Sequence, residues 1–177
     1  MLDNKKKLGV ATKAIHSGQE PDKSTGAIMV PIYASSTYVQ ESPGKHKGYE
    51  YSRTQNPTRA AYEKCIADLE SGEYGFAFAS GMSAADAILG LLKVGDEVIA
   101  IDDLYGGTRR LFEKVVSIKS ELTFKFIDYK EFTNLDNYIT NKTKMIWVET
   151  PTNPLLKLVD FKSLRKISKS IFTVVDN

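Results

Sequence analysis

A chain of 177 residues, 42% hydrophobic and 26% charged, is long enough to bury one sizeable core, and its apolar runs are too short for a membrane span. The formal charge of +2 is interleaved along the chain, which argues against a nucleic-acid-binding face, and one cysteine with two distant histidines argues against both a disulfide framework and a protein-built metal site. The lysine-rich start, "MLDNKKKLGV", is followed by no apolar stretch of a secretory signal, so a cytoplasmic protein is expected.

Residues 1–50 are rich in Gly, Pro, Ser and Tyr without sustained periodicity and are expected to form an extended N-terminal arm. Its apolar pieces around Tyr33, Tyr38 and Tyr49 suit docking on a surface, of a partner subunit or of its own body. After "NPT" the pattern becomes helical: Tyr62, Cys65, Ile66 and Leu69 share a face, Cys65 is expected in the core, and Gly72 follows as a stop. Strands are expected at "YGFAFA", "DEVIAI", "LTFKFI", "KMIWVE" and "IFTVV", with helices beginning near Met82, Thr108, Phe132 and Phe161. Ala85, Ile88, Leu89 and Leu92 form the apolar face of the first of these, and Gly95 is its expected close. Strand–helix alternation of this length over residues 51–177 predicts an α/β domain with a mainly parallel sheet flanked by helices.

Ligands of open parallel sheets bind outside the carboxyl ends of the strands. Those ends carry "SGMSA", "DDLYGGT", "ETPTNP" and "DN". Gly81 and Met82 open a helix after Ser80, so their free backbone N–H groups can meet an anion. Tyr105 precedes two glycines that let its ring lie flat against a ligand while its hydroxyl remains available for proton transfer. Arg110, beginning the next helix, is read either as meeting a substrate carboxylate or as an exposed helix arginine. Tyr51 and Arg53 alternate along an extended piece and point the same way, offering a hydroxyl and a guanidinium fork to a phosphate; Arg59 is expected to begin the helix and solvate its face. The prolines of "ETPTNP" hold Asn153 in a stiff polar turn. Asp176, at the tip of a buried strand, needs a cationic or N–H partner that its sequence neighbours do not supply. A phosphate anchor, a stacking tyrosine, an asparagine and a buried aspartate together describe a site for a flat phosphorylated nitrogen heterocycle, pyridoxal 5′-phosphate (PLP).

In order and spacing, "EYSRTQNPTR", "FASGMSA", "DDLYGGT", "ETPTNP" and "VVDN" resemble the Cys/Met-metabolism branch of the PLP-dependent enzymes, from "ATKAIHSG" to the last residue. The resemblance is greatest to its cystathionine γ-lyases. "YGGT" is similar to γ-acting members, and Gly107 departs from the methionine γ-lyases, which usually have a cysteine there. The resemblance implies that Gly81 and Met82 bind the cofactor phosphate, that Tyr105 stacks on the ring, that Asp176 holds the ring nitrogen and that Asn153 meets the ring hydroxyl. It also implies that Tyr51 and Arg53 reach the phosphate of a neighbouring subunit, within a tetramer built as a dimer of dimers, and that Arg53, Tyr105 and Arg110 contact the amino-acid substrate.

The lysine that carries the cofactor in this family lies beyond the aspartate, further than this chain extends, as does the small C-terminal domain. The expectation is therefore an N-terminal portion of a large PLP-binding domain, inactive alone. The reaction implied for the complete protein is α,γ-elimination of cystathionine to cysteine, 2-oxobutanoate and ammonia, with Tyr105 assisting proton transfer. Cystathionine γ-synthase or another lyase of the family is the alternative, and a non-catalytic assembly module is the reading from a different class.

Overall fold

The computed structural model describes residues 8–177, so most of the lysine-rich start lies outside the described residues. The chain divides into two compact units, one ending at Phe78 and the other running from Ala79 to Asn177. No helix among the described residues is long and apolar enough to cross a membrane.

The first unit holds α1 (Val10–His16) and α2 (Pro57–Leu69). α1 was not expected from the sequence. A seven-residue helix is marginal by itself, and this one is tied to α2: Lys13 Nζ donates to the Asp68 carbonyl at 2.7 Å and Ser17 Oγ donates to the Asp68 carboxylate. Between the helices the chain is extended, with isolated antiparallel bridges at Thr37–Tyr51 and Gln40–His46, and Ile28, Ile32 and Val39 are exposed.

α2 starts where "NPT" predicts, because Asn56 caps it by accepting from the N–H groups of Thr58 and Arg59 and Pro57 occupies the first helical position. It ends at Leu69, three residues before Gly72. Ser71 takes the left-handed conformation, at φ 57°, and Gly72 N–H closes the helix on the Ala67 carbonyl. Cys65 is half-buried rather than in the core; Ala67 is the buried residue of this helix. The expected strand at "YGFAFA" joins no sheet. It runs extended along α2, where Ala77 N–H donates to Glu63 Oε1, and Tyr74 and Phe76 remain exposed.

The second unit is the predicted α/β body. Its four strands are β1 (Glu97–Ile101), β2 (Thr123–Ile127), β3 (Thr143–Glu149) and β4 (Phe172–Asp176). They lie in the order β2-β1-β3-β4, and all three neighbouring pairs are parallel. Every residue of β1 is buried, which is why its sequence reads as a continuous apolar run rather than an alternating one. Phe112 fills the centre of the core, stacked on Phe124 at 4.6 Å and edge-on to Trp147 at 5.2 Å between ring centroids.

α3 (Gly81–Leu89) is fixed by a reciprocal capping box between Ser80 and Ser83, and it turns Ala85 and Leu89 inward, with Ile88 and Leu92 packed at the margin. It ends at Gly90. Gly95 lies in the following turn at φ 85° and does not close the helix. α4 (Gly106–Arg110) continues through a π-helical segment, Leu111–Val116, to a last turn, Ser117–Lys119.

The other two expected helices are only 3-10 segments. Tyr129–Asn137 is broken at Asn134, whose φ −119° and ψ 31° are not helical, and Leu164–Lys166 is a single turn. Asn, Asp and Ser side chains compete for the backbone there: Asp128 caps Lys130 N–H, and Asp160 accepts from Lys162 N–H.

Candidate active site

The chain leaves β1 for β2 on one side and places β3, followed by β4, on the other, so the connections leaving the carboxyl ends of β1 and β3 diverge. Such a divergence opens a crevice. The loops that follow these two strands, with the end of β4 and the start of α3, surround a cavity of about 490 Å³. Five residues singled out in the sequence line it: Gly81, Met82, Tyr105, Asn153 and Asp176.

At one wall, Ser80 Oγ accepts from Ser83 N–H, whereas the N–H groups of Gly81 and Met82 have no acceptor among the described residues. A Cβ added to Gly81 would meet nothing within 4 Å, so the backbone there faces open space. The Tyr105 ring leans on Gly107, where an added Cβ would stand 2.4 Å from ring Cε1 and 3.2 Å from Met82 Sδ. Gly107 thus leaves room for the ring, whereas a Cβ at Gly106 would meet only Arg110 Nη1, at 3.3 Å. Arg110 is exposed and does not line the cavity; its guanidinium folds back over Gly106.

The opposite wall rests on acidic residues. Glu149 ends β3 buried, 6% exposed, and each of its carboxylate oxygens accepts one backbone N–H at 2.8 Å: Tyr105 on one loop and Asn153 on the other. Burial raises its pKa above the ordinary value; the two N–H groups oppose that rise, and the charges of Asp176 and Asp103 add to it. The same loops are tied a second time where Thr152 Oγ1 and Leu155 N–H donate to Asp103. Lys157 stands 3.6 Å from Asp102.

Asp176 lies opposite Glu149 in the β3–β4 register, and its carbonyl accepts from Thr150 N–H. Its carboxylate differs from that of Glu149. No group among the described residues donates to it, and burial alone raises its pKa. The buried strand expected from sequence is not found, because β4 is mostly exposed at the edge of the sheet and Asp176 is half-buried, but its carboxylate still lacks a donor among the described residues.

Tyr51 and Arg53 belong to the first unit and do pair, with Arg53 Nη2 3.4 Å from the Tyr51 hydroxyl and its guanidinium 5.1 Å from the ring centre. Arg59 corrects the expectation of a solvated side chain: it donates to the carbonyls of Ser52, Arg53 and Thr54 and so braces the turn that carries that pair. Sequence reading also passed over Glu149. The available signal was the one used for Asp176, a carboxylate closing an apolar strand.

The family model for Cys/Met metabolism PLP-dependent enzymes matches residues 11–177. The chain is 55% identical to a cystathionine β-lyase of Coxiella burnetii over 99% of its own length and 46% of that protein. It is 48% identical to a probable cystathionine γ-synthase of Herpetosiphon aurantiacus over 96% of itself and 53% of the relative. The crystal structure of a cystathionine γ-lyase from Lactobacillus plantarum, complexed with L-serine, superposes with a TM-score of 0.90 at 43% identity, covering 96% of this chain and 45% of that one. The chain thus spans about half the length of the relatives it matches. By these matches and its fold, the chain belongs to the Cys/Met metabolism family of PLP-dependent enzymes, whose cofactor is pyridoxal 5′-phosphate.

Proposed function

We propose that this chain is the N-terminal part of a PLP-dependent carbon–sulfur lyase acting on cystathionine. The observation that carries the reading is the convergence, at one sheet crevice, of free helix N–H groups, a tyrosine ring and an aspartate without a donor. The fit to PLP is tested by Asp176. A half-buried carboxylate with no donor in the protein is matched by a protonated ring nitrogen, which would offset its desolvation.

The Gly81 and Met82 N–H groups would hold the phosphate, the Tyr105 ring would cover one face of the heterocycle, and the Asn153 amide would meet the ring hydroxyl. When bound, PLP supplies an electron sink for the substrate's α-carbon. Asp176 keeps a proton on the ring nitrogen, and the Tyr105 hydroxyl moves a proton at the substrate. Tyr51 and Arg53 would complete the phosphate site of a second copy in a dimer of dimers, with Arg53 and Arg110 also meeting the substrate.

For the reaction itself we propose α,γ-elimination, in which cystathionine and water give cysteine, 2-oxobutanoate and ammonia. "YGGT" supports this form. A second reading, β-elimination to homocysteine, pyruvate and ammonia, is favoured by the 55% identity to the Coxiella burnetii β-lyase. Product analysis of the complete protein with PLP and cystathionine separates them: cysteine with 2-oxobutanoate is expected, and homocysteine with pyruvate supports the second reading. Absence of both thiols, with γ-replacement on an O-acylhomoserine and cysteine, would make the protein a synthase.

A further inference from the structure

Glu149 touches two of the proposed cofactor contacts at once, and it does so through their backbones. Its carboxylate is buried, its two oxygens are engaged one each by Tyr105 N–H and Asn153 N–H at 2.8 Å, and those residues stand on loops that follow different strands. A carboxylate is the side chain this geometry requires. It presents two acceptors, whereas a carboxamide presents one acceptor and an NH₂ that would face a backbone N–H.

We propose that Glu149 is a positioning residue that sets the Tyr105 ring and the Asn153 amide as one rigid pair before the cofactor arrives; this rests on reading the crevice as the PLP site. The acceptor is not supplied by chance contact. β3 is held in the middle of the sheet by β1 and β4, so the end of this strand is a fixed reference for both loops. The Asp103 clasp to Thr152 and Leu155 runs in the reverse direction, from the β1 loop to the β3 loop. Two opposed ties resist sliding of one loop along the other better than either alone. Groups that must be placed to within a fraction of an ångström gain from such support.

The test uses the complete protein in cofactor-free and PLP-reconstituted forms, comparing wild type, Glu149→Gln and Phe132→Leu. Phe132 is a core residue that does not line the crevice, so its variant reports general loosening. In Glu149→Gln, amide exchange at Tyr105 and Asn153 in the cofactor-free form is expected to rise about ten-fold, PLP affinity to fall about ten-fold, and the visible circular dichroism of bound PLP to change. Phe132→Leu should lower the melting temperature and leave those three readouts at wild-type values. Wild-type exchange, affinity and dichroism in Glu149→Gln, or equal changes in Phe132→Leu, would overturn the proposal. If Glu149→Gln does not fold, Glu149→Asp keeps the charge but is one methylene too short for both N–H groups and is expected to show the same losses; wild-type values there overturn it equally. A wild-type protein that takes up no PLP overturns the cofactor reading and this inference together, whereas normal uptake with an unaffected variant overturns the role of Glu149 alone.

Discussion

Adding one methyl group at Gly107 should displace the Tyr105 ring and weaken both the site and the fold. A Cβ there would stand 2.4 Å from Tyr105 Cε1, 3.1 Å from Cδ1 and 3.2 Å from Met82 Sδ. Non-bonded carbons settle at about 3.5–4.0 Å, so the ring must retreat by about 1 Å. Met82 blocks one direction and the Glu149 bond to Tyr105 N–H holds the backbone in place. Forced accommodation of an extra methyl typically costs about 1–3 kcal/mol, and because the contact is present without the cofactor, the cofactor-free fold bears that cost. Gly107 lies in α4, however, where Ala is favoured over Gly by about 0.5–1 kcal/mol. Gly107→Ala in the complete protein is therefore expected to destabilise the cofactor-free form by a net ~0–2.5 kcal/mol and, by displacing the ring, to weaken PLP binding. Equilibrium binding followed by the visible absorption of PLP, beside urea unfolding without cofactor, measures both effects. Wild-type PLP affinity in Gly107→Ala would refute the claim that Tyr105 is held against Gly107.

Two further outcomes follow from burial. Asp176 has its pKa raised in the fold above the ordinary 3.8. The folded state therefore binds its proton more tightly than the unfolded state, and stability falls as pH rises from the ordinary value through the higher folded one. Asp176→Asn should melt higher than wild type at pH 7 in the cofactor-free form, the gap closing as pH falls towards 4, and should bind PLP poorly; a gap independent of pH would show that burial of the charge is not the cause. Phe112 is fully buried between Phe124 and Trp147, so Phe112→Ala should cost about 3–5 kcal/mol by urea unfolding. A loss below about 1 kcal/mol would mean that this aromatic cluster is not the centre of the core.

The parallel sheet was legible because a strand buried on both faces needs apolar, β-branched residues throughout, and "DEVIAI" and "KMIWVE" carry them. "YGFAFA" has a similar composition and joins no sheet: strand propensity expresses fit to a neighbouring strand, and the segment runs beside α2 instead. α1 was illegible for a related reason, since its support comes from Asp68, far along the chain. At the site, Tyr105, Asn153 and Asp176 could be read because each sits at or just after a strand end, and Gly81 and Met82 because they open a helix capped by Ser80. Glu149 and Arg59 act on backbone groups brought close only by folding, and a carboxylate or guanidinium that will meet a peptide group looks in sequence like one that will meet water.

Two carboxylates end adjacent strands of this sheet, paired in register, and their surroundings assign them opposite work. Glu149 is satisfied by the protein itself, so its desolvation is offset by two N–H groups and its effect is internal: it holds loops. Asp176 has no donor among the described residues, so its partial desolvation is a cost to the fold that a donor entering the crevice offsets. An unrelieved polar group is how a fold stores affinity for a ligand of matching charge. On this reasoning the β4 end of the crevice favours a flat group with an N–H at its edge while the free N–H groups of Gly81 and Met82 favour an anion, so the crevice discriminates by where a proton can be donated rather than by net charge.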